Sequence, residues 1–397
     1  MTVVRWLFQL ITVCLLNLRN LGSRKQSSLV AVVGFTGVVT VFVGVFAIRE
    51  GFDATLRETG SPGVAIVMRG GAGTELNSVL GGNDAKLVGQ APGVAQSANG
   101  PLTSPELLVQ LNIPKKSTGL DANVPFRGAS PNSLLVHNKV KIIAGRYFTS
   151  GLNEVVVGAR AAREFKGLAL GDTIHSGRYD WKVVGIFDDG GGLYDSEVWG
   201  DLTVLQGAYQ RGNSLESVYA KLASPDDFRK FKDALTSDPR LNVSVQRESE
   251  YYAEQSRALS TFISIAGTVI GLLMGVGAIF GAVNTMYNSV SSRAAEIATL
   301  RAIGFRRSPV LLSVLVEGML LGLVGGITGG VLAYLFFNGI ETSTLGNNFS
   351  QIAFQFRVTP QLIIQGIIYA LVMGLLGGVL PAIRAVRMPI AASLRQL

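Results

Sequence analysis

The sequence predicts a membrane α-helical protein: four transmembrane helices per chain, with a large extracytoplasmic α+β domain between helices 1 and 2. Three observations predict it. Hydrophobic residues fill 48% of the 397 positions and charged residues only 16%, too apolar a mixture for an ordinary water-soluble chain. Four runs, 27–48, 258–288, 310–340 and 358–383, can each cross a hydrocarbon core, which takes about 20 apolar residues in a helix because lipid satisfies no exposed peptide group. Charge is also distributed unevenly along the chain. The segments before the first run, between the second and third, and after the fourth hold Arg5, Arg19, Arg24, Lys25, Arg293, Arg301, Arg306, Arg307, Arg384, Arg387 and Arg395 against Glu296 alone.

Excess Lys and Arg in short flanking segments marks the cytoplasmic side. Both termini and the 289–309 loop are therefore expected inside, and residues 49–257, with 23 basic and 24 acidic groups, outside, together with an outer loop over 341–357. The formal net charge of +8 thus reflects topology and does not call for nucleic acid.

Residues 1–26 precede the first run. Val3–Leu18 is mostly apolar, with Arg5, Gln9 and Thr12 recurring at helical spacing, which predicts a helix lying in the inner interface. The single Cys14 falls here, so the exported domain has no cysteine to pair. No small-x-small cleavage site follows the first run and Val13 does not suit lipidation of Cys14, so the first span is expected to remain in the mature protein.

Between 49 and 257 the composition turns to Gly, Pro, Ser, Asn and charge mixed with short β-rich runs. Strands are expected at Val64–Arg69, Val140–Ala144, Glu154–Val157, Trp181–Ile186, Val218–Leu222 and Val243–Gln246. Ser224 as N-cap, Pro225 at the first position and the Asp226–Asp227 pair announce a helix running to Leu235. A second helix is expected over Ala159–Phe165. Residues 70–135 show weak periodicity and read as a looser subdomain or long excursions. The polar but helix-compatible stretches Arg49–Glu58 and Glu248–Arg257 read as stalks continuing the first two spans.

No catalytic or metal site is expected. The carboxylate-rich stretch Asp188 to Asp201 departs from calcium-loop spacing and reads as a solvated, flexible acidic loop. His137 and His175 lack a neighbouring Cys or second His at ligand spacing and read as surface or hydrogen-bonding residues. There is no nucleophile elbow and no Gly-rich Lys-Ser/Thr loop to cradle ATP.

The later spans carry glycine every fourth residue: Gly267, Gly271 and Gly275 in the second, Gly318, Gly322, Gly326 and Gly330 in the third, with Gly374 and Gly378 in the fourth. Such stripes let helix backbones approach, whether inside one bundle or at a dimer seam. Glu317, about two turns into the third span, is the exceptional intramembrane carboxylate and is expected to serve a structural pair or cap near Arg306 and Arg307.

In the 289–309 loop, residues 293–306 read as a short helix stopped by Gly304. Ile297, Leu300 and Gly304 share one face, flanked by Glu296 and Ile303 on one side and Arg301 on the other. That apolar ridge could meet a cytosolic partner or lie in the interface among lipid headgroups.

The stretch SRAAEIATLRAIGFRRSPVLLSVLVEGMLLGLVGGITGGVLAYL, with LPAIRAVRMPIAASLRQL after it, resembles the permease half of the MacB/FtsX-type (mechanotransmission, type VII) ABC transporters. NLRNLGSRKQSSLVAVVGFTGVV resembles that family's entry into the first span. NEVVVGARAAREFKGLALGDTI and WKVVGIFDDGGGLYDSEVW resemble its periplasmic core domain. The resemblance implies a coupling helix at Arg293, Glu296, Ile297, Leu300, Arg301, Gly304 and Phe305 that docks on a separate ATPase subunit. It implies a permease dimer, homomeric or of related chains, in a bacterial inner (plasma) membrane. ATP and Mg would be bound by that ATPase, and this chain would need no cofactor of its own. Unlike in the fused macrolide exporters, no nucleotide-binding domain is expected before the first span. Export or extraction of an amphiphile, lipid, peptide or lipoprotein is the expected work, with a periplasmic adaptor and outer-membrane channel as further partners. A non-transporting transducer regulating an outer partner, such as a cell-wall hydrolase, is the alternative.

Overall fold

The computed structural model describes Trp6, Gln9, Ile11, Thr12 and residues 25–98, 100–345 and 351–389. The expected interfacial helix at Val3–Leu18 and the tail beyond 389 lie outside these residues, apart from those four early positions.

Among the described residues four helices are long and apolar enough to cross a membrane: α1 (Lys25–Thr59), α7 (Glu248–Ser292), α9 (Arg307–Phe337) and α10 (Pro360–Arg387). The short helices between them are α2 (Gly82–Gln90), α3 (Ser133–Val136), α4 (Ala159–Glu164), α5 (Leu202–Ala208), α6 (Phe228–Thr236) and α8 (Ala294–Ala302). The chain divides into two compact units, one of Met1–Gly51, Thr261–Ile340 and Phe356–Leu397, the other of Phe52–Ser260 and Glu341–Gln355. Helices α1 and α7 are unbroken across the division and supply residues to both.

In the first unit the buried core is Phe35, Val39 and Val43 of α1, Met286 and Val290 of α7, Val314 and Leu321 of α9, and Ala370 and Met373 of α10. Glycine brings these helices together. A Cβ on Gly318 would lie 2.6 Å from the Gly374 carbonyl oxygen, and one on Gly374 would lie 2.3 Å from that of Gly318. Gly322, Gly326 and Gly330 continue this contact against Ala370, Ile367 and Ile363 of α10, while Gly325 and Gly329 press on Phe35, Thr36 and Val39 of α1. Gly267 and Gly271 of α7 meet Val45, Phe46 and Phe42 of α1, and Gly275 meets Tyr369 of α10. Each stripe expected from the sequence thus packs within the chain. Side-chain hydrogen bonds add to the packing: Thr36 and Thr328 share one at 2.7 Å, and the Tyr369 hydroxyl donates to the Gly271 carbonyl at 2.6 Å.

The second unit is built on a ten-stranded sheet. Its strands in chain order are β1 (Val64–Arg69), β2 (Thr103–Pro114), β3 (Asp121–Ala129), β4 (Lys141–Gly145), β5 (Glu154–Gly158), β6 (Thr173–Ser176), β7 (Tyr179–Asp188), β8 (Val198–Asp201), β9 (Ser217–Lys221) and β10 (Val243–Arg247). The spatial order is β10-β1-β9-β2-β3-β8-β5-β7-β4, with β6 pairing on β7. β3–β8 and β5–β7 are parallel and the other pairs antiparallel. Most strands are buried on both faces, and two apolar cores result. One gathers Leu107, Leu111, Phe126, Val155, Trp181 and Leu205 with helices α4 and α5; the other gathers Val67, Val88, Val218, Phe231 and Val245 with α2 and α6.

Three expectations need correction. Residues 70–135 are no loose excursion: they include α2 and the two central strands β2 and β3, paired from Leu107–Gly128 to Pro114–Asp121. The carboxylates of 188–201 are largely buried and bonded. Asp195 accepts the backbone N–H groups of Asp189 and Gly191 at 2.6 and 3.1 Å, and Asp201 caps α5 through Thr203 and Val204. The segment 341–357, expected as an outer loop, is mostly a hairpin of β11 (Glu341–Leu345) and β12 (Gln351–Gln355) that belongs to the second unit. There Phe354 packs edge-on against Phe52 at 5.5 Å, the Arg160 guanidinium donates to the Ala353 carbonyl at 2.7 Å, and Ser343 donates to Glu164 at 2.7 Å.

Candidate functional site

The turn between α7 and α8 falls at Arg293, which is only 3% exposed. Burying a guanidinium requires a partner, and the partner is Glu317 of α9, itself 4% exposed and directly hydrogen-bonded to Arg293. Ser289, one turn earlier, donates to the other Glu317 oxygen at 3.1 Å and accepts from Arg293 through its hydroxyl at 3.0 Å. Glu317 thus pairs with Arg293 and not with Arg306 or Arg307. Those two lie at the start of its own helix, about 15 Å away along the axis at 1.5 Å per residue, whereas the chain reversal through α8 returns Arg293 beside it.

Helix α8 is tied at its other end as well, because Arg301 donates to the Met388 carbonyl, just past α10, at 2.8 Å. Gly304 ends it with φ +102°, a left-handed conformation that suits glycine, while the Phe305 N–H returns to the Leu300 carbonyl at 3.0 Å. The ridge expected to face a partner points largely the other way. Ile297 is buried in the unit's own core and Leu300 is half-buried. The exposed residues are Glu296, Thr299, Ala302, Ile303 and Gly304, with Ile303 69% exposed; Arg301 and Phe305 are half-buried. A nine-residue helix held at both ends must bury one side, and its apolar side is the one it buries.

A second constellation, which sequence reasoning missed, lies in the second unit. Arg127 of β3 is fully buried and donates to Glu197 through Nε and Nη2, both at 2.7 Å. Its Nη1 donates to Glu75 and Glu106, both at 2.8 Å. Glu106 also meets His137 Nε2 at 2.8 Å, and His137 Nδ1 faces Glu248, the first residue of α7, at 3.4 Å. Tyr194 donates to Glu248 at 2.9 Å, and Ser217 and Tyr219 donate to Glu75. Burial opposes charge on His137, but the Glu106 and Glu248 carboxylates outweigh it and raise its pKa to about 10. Burial likewise acts against Glu106, yet His137 and Arg127 hold its pKa below the usual carboxylate value. Burial wins at Glu197 and raises its pKa despite Arg127. The other histidine, His175, is exposed and bonded to Asp180 at 2.7 Å. Among the described residues no group of three His, Cys, Asp or Glu is placed to hold a metal ion.

Four membrane-crossing helices, an α+β domain inserted after the first, and a short tethered helix between the second and third define a class: multi-pass permeases with an extracytoplasmic core domain. Family models agree in sequence, with the MacB-like periplasmic core domain matching residues 28–238 and the FtsX-like permease C-terminal matching residues 268–390. The chain belongs to the MacB/FtsX-type family of ABC transporter permeases. Its place is accordingly the bacterial inner membrane, with the inserted domain periplasmic.

Among relatives, an uncharacterized ABC transporter permease YknZ of Bacillus subtilis is 24% identical over 274 residues, 65% of this chain and 66% of that one. The macrolide export ATP-binding/permease protein MacB of Vibrio parahaemolyticus is 28% identical over 241 residues, 57% of this chain and 35% of that protein. The MacB of Hyphomonas neptunium is 25% identical over 404 residues, 94% of this chain and 59% of its own. The chain thus spans less than two thirds of the length of these relatives.

Proposed function

We propose that this permease converts ATP hydrolysis on a separate ABC ATPase subunit into motion of its periplasmic domain, driving export or extraction of an amphiphile, lipid, peptide or lipoprotein. The observation that carries the reading is the tethering of α8. One end is fixed to α9 through Arg293 and Glu317 and the other to the end of α10 through Arg301, so a push on this short helix is shared among membrane helices rather than absorbed by a loop. The eleven basic residues flanking the spans support a cytoplasmic position for α8 and both termini, on the side where an ATPase resides. The unbroken backbones of α1 and α7 give the motion a stiff route to the periplasmic residues. Relatives named as macrolide exporters, with ATP-binding and permease parts in one protein, support export. A second permease copy, surrounding lipids, a periplasmic adaptor and an outer-membrane channel complete the proposed assembly. ATP and Mg act in the ATPase.

The docking surface on this reading is the exposed face of α8: Glu296, Thr299, Ile303 and Gly304. Ile303→Asp places a charge at its centre and is expected to abolish co-purification of ATP-hydrolysing activity with the permease from native membranes, while insertion and thermal stability stay unchanged. Undiminished ATPase recovery with Ile303→Asp refutes the assignment.

A further inference from the structure

Asp189 directly follows β7 and is 3% exposed, yet neither of its carboxyl oxygens has a hydrogen-bond donor among the described residues. An ionised carboxylate in that condition is costly, because burial strips its hydration and nothing replaces it. Its surroundings make the charge worse. Asp195 and Glu248 are acidic neighbours, and Asp195 spends its oxygens on the backbone N–H groups of Asp189 and Gly191. Glu58 of α1 and Arg160 of α4 reach the adjoining Gly191.

The cations that could compensate are committed elsewhere. His137 stands between Glu106 and Glu248, and Arg160 donates to the Ala353 carbonyl. Lys139 donates to the carbonyls of Glu58 and Gly60, at the negative end of the α1 dipole. The cavity at this point, lined by Thr59, Ser61, His137, Lys139, Asp189 and Glu248, measures about 10 Å³. That is space for nothing larger than one water. Thr59 ends α1 and Glu248 begins α7, so the site lies where both membrane-crossing helices end within the periplasmic unit.

We propose that Asp189 is a proton-binding site: the fold holds its neutral acid, and release of that proton to solvent leaves a carboxylate that draws Lys139 off the carbonyl end of α1. Burial, then Asp195 and Glu248, raise its pKa to about 8, so the change falls within the range an extracytoplasmic compartment can reach. The periplasmic end of α1 would then be capped at acidic and neutral pH and uncapped in alkaline surroundings. This does not depend on the coupling role of α8.

The test uses the full-length permease in nanodiscs, stepped from pH 6 to pH 10 around the value of about 8. Infrared difference spectra should show the C=O stretch of a protonated carboxylic acid disappearing with a midpoint near 8, and the band should be missing in Asp189→Asn. Hydrogen-exchange protection of residues 56–60, corrected for intrinsic rate, should fall severalfold over the same step in the wild type and stay flat in Asp189→Asn. The wild-type spectrum needs no variant to fold. Absence of the band, or its persistence in Asp189→Asn, overturns the proton site; a titrating band with unchanged protection overturns the Lys139 response.

Discussion

Arg127 illustrates how much one buried side chain can organise. It faces Glu75, Glu106 and Glu197, which come from three separate segments of the chain, so its removal leaves carboxylates buried without their cation. Breaking such a pair by deleting one partner costs about 3–5 kcal/mol. Arg127→Met is therefore expected to destabilise the periplasmic unit by about that amount in chemical denaturation followed by tryptophan fluorescence, which Trp199, bonded to Glu197 at 2.7 Å, reports. His137 makes a prediction in pH. Its folded-state pKa, raised from 6.5 to about 10, means that the charged imidazolium is held more tightly folded than unfolded. The stabilisation is complete below about pH 6.5 and disappears as pH rises through about 10. The melting-temperature gap between wild type and His137→Gln should accordingly be widest in acid and shrink across that window; a gap independent of pH would count against the imidazolium.

Helix α9 depends on glycine along two faces, one against α10 and the other against α1. Gly318→Leu puts a side chain where the Gly374 carbonyl already lies within 2.6 Å of a Cβ, forcing two backbones apart. Gly281→Leu, on α7 with nothing within 4 Å, is the control. Thermal scans in detergent should show a loss of roughly 2–4 kcal/mol for the first, on the scale of overpacked or separated core contacts, and little for the second. The glycine spacing was legible in the sequence, and so were the four helices, because run length alone identifies a membrane crossing. Which helix each stripe meets was not, since spacing describes one surface and says nothing of its complement. The strands that read clearly, such as β1 and β5, are short β-branched runs. β2 and β3 were missed because Glu106, Gln110, Asn112 and Arg127 and the prolines 105, 114 and 125 interrupt their apolar pattern. Glu106 and Arg127 are nonetheless buried, because they pair with one another across adjacent strands and with His137, Glu75 and Glu197 from other segments. On α8 the helix and its glycine stop were legible and the outward face was not: apolar periodicity finds the side a helix hides, and only the fold shows that the unit itself covers Ile297.

The periplasmic unit, taken whole, is discontinuous in sequence. It closes only when β11 and β12 join residues 52–260, with Ile352, Ala353 and Phe354 all buried. A soluble fragment of residues 52–260 is expected to melt below one to which residues 341–355 have been fused, and to bind more of an apolar dye. Equal melting would show that the hairpin adds nothing. The same discontinuity sets a timetable for biogenesis. Strand β1 waits for β10, 174 residues later by its pairing of Arg69 with Val243, and the hairpin emerges only after two further spans have been threaded into the bilayer. At about 5–20 residues per second of synthesis, the 95 residues from Ser260 to Gln355 take roughly 5–20 s. For that interval Phe52 and its neighbours stand uncovered on the far side of the membrane. A nascent chain at that stage is the form that periplasmic chaperones and proteases would meet.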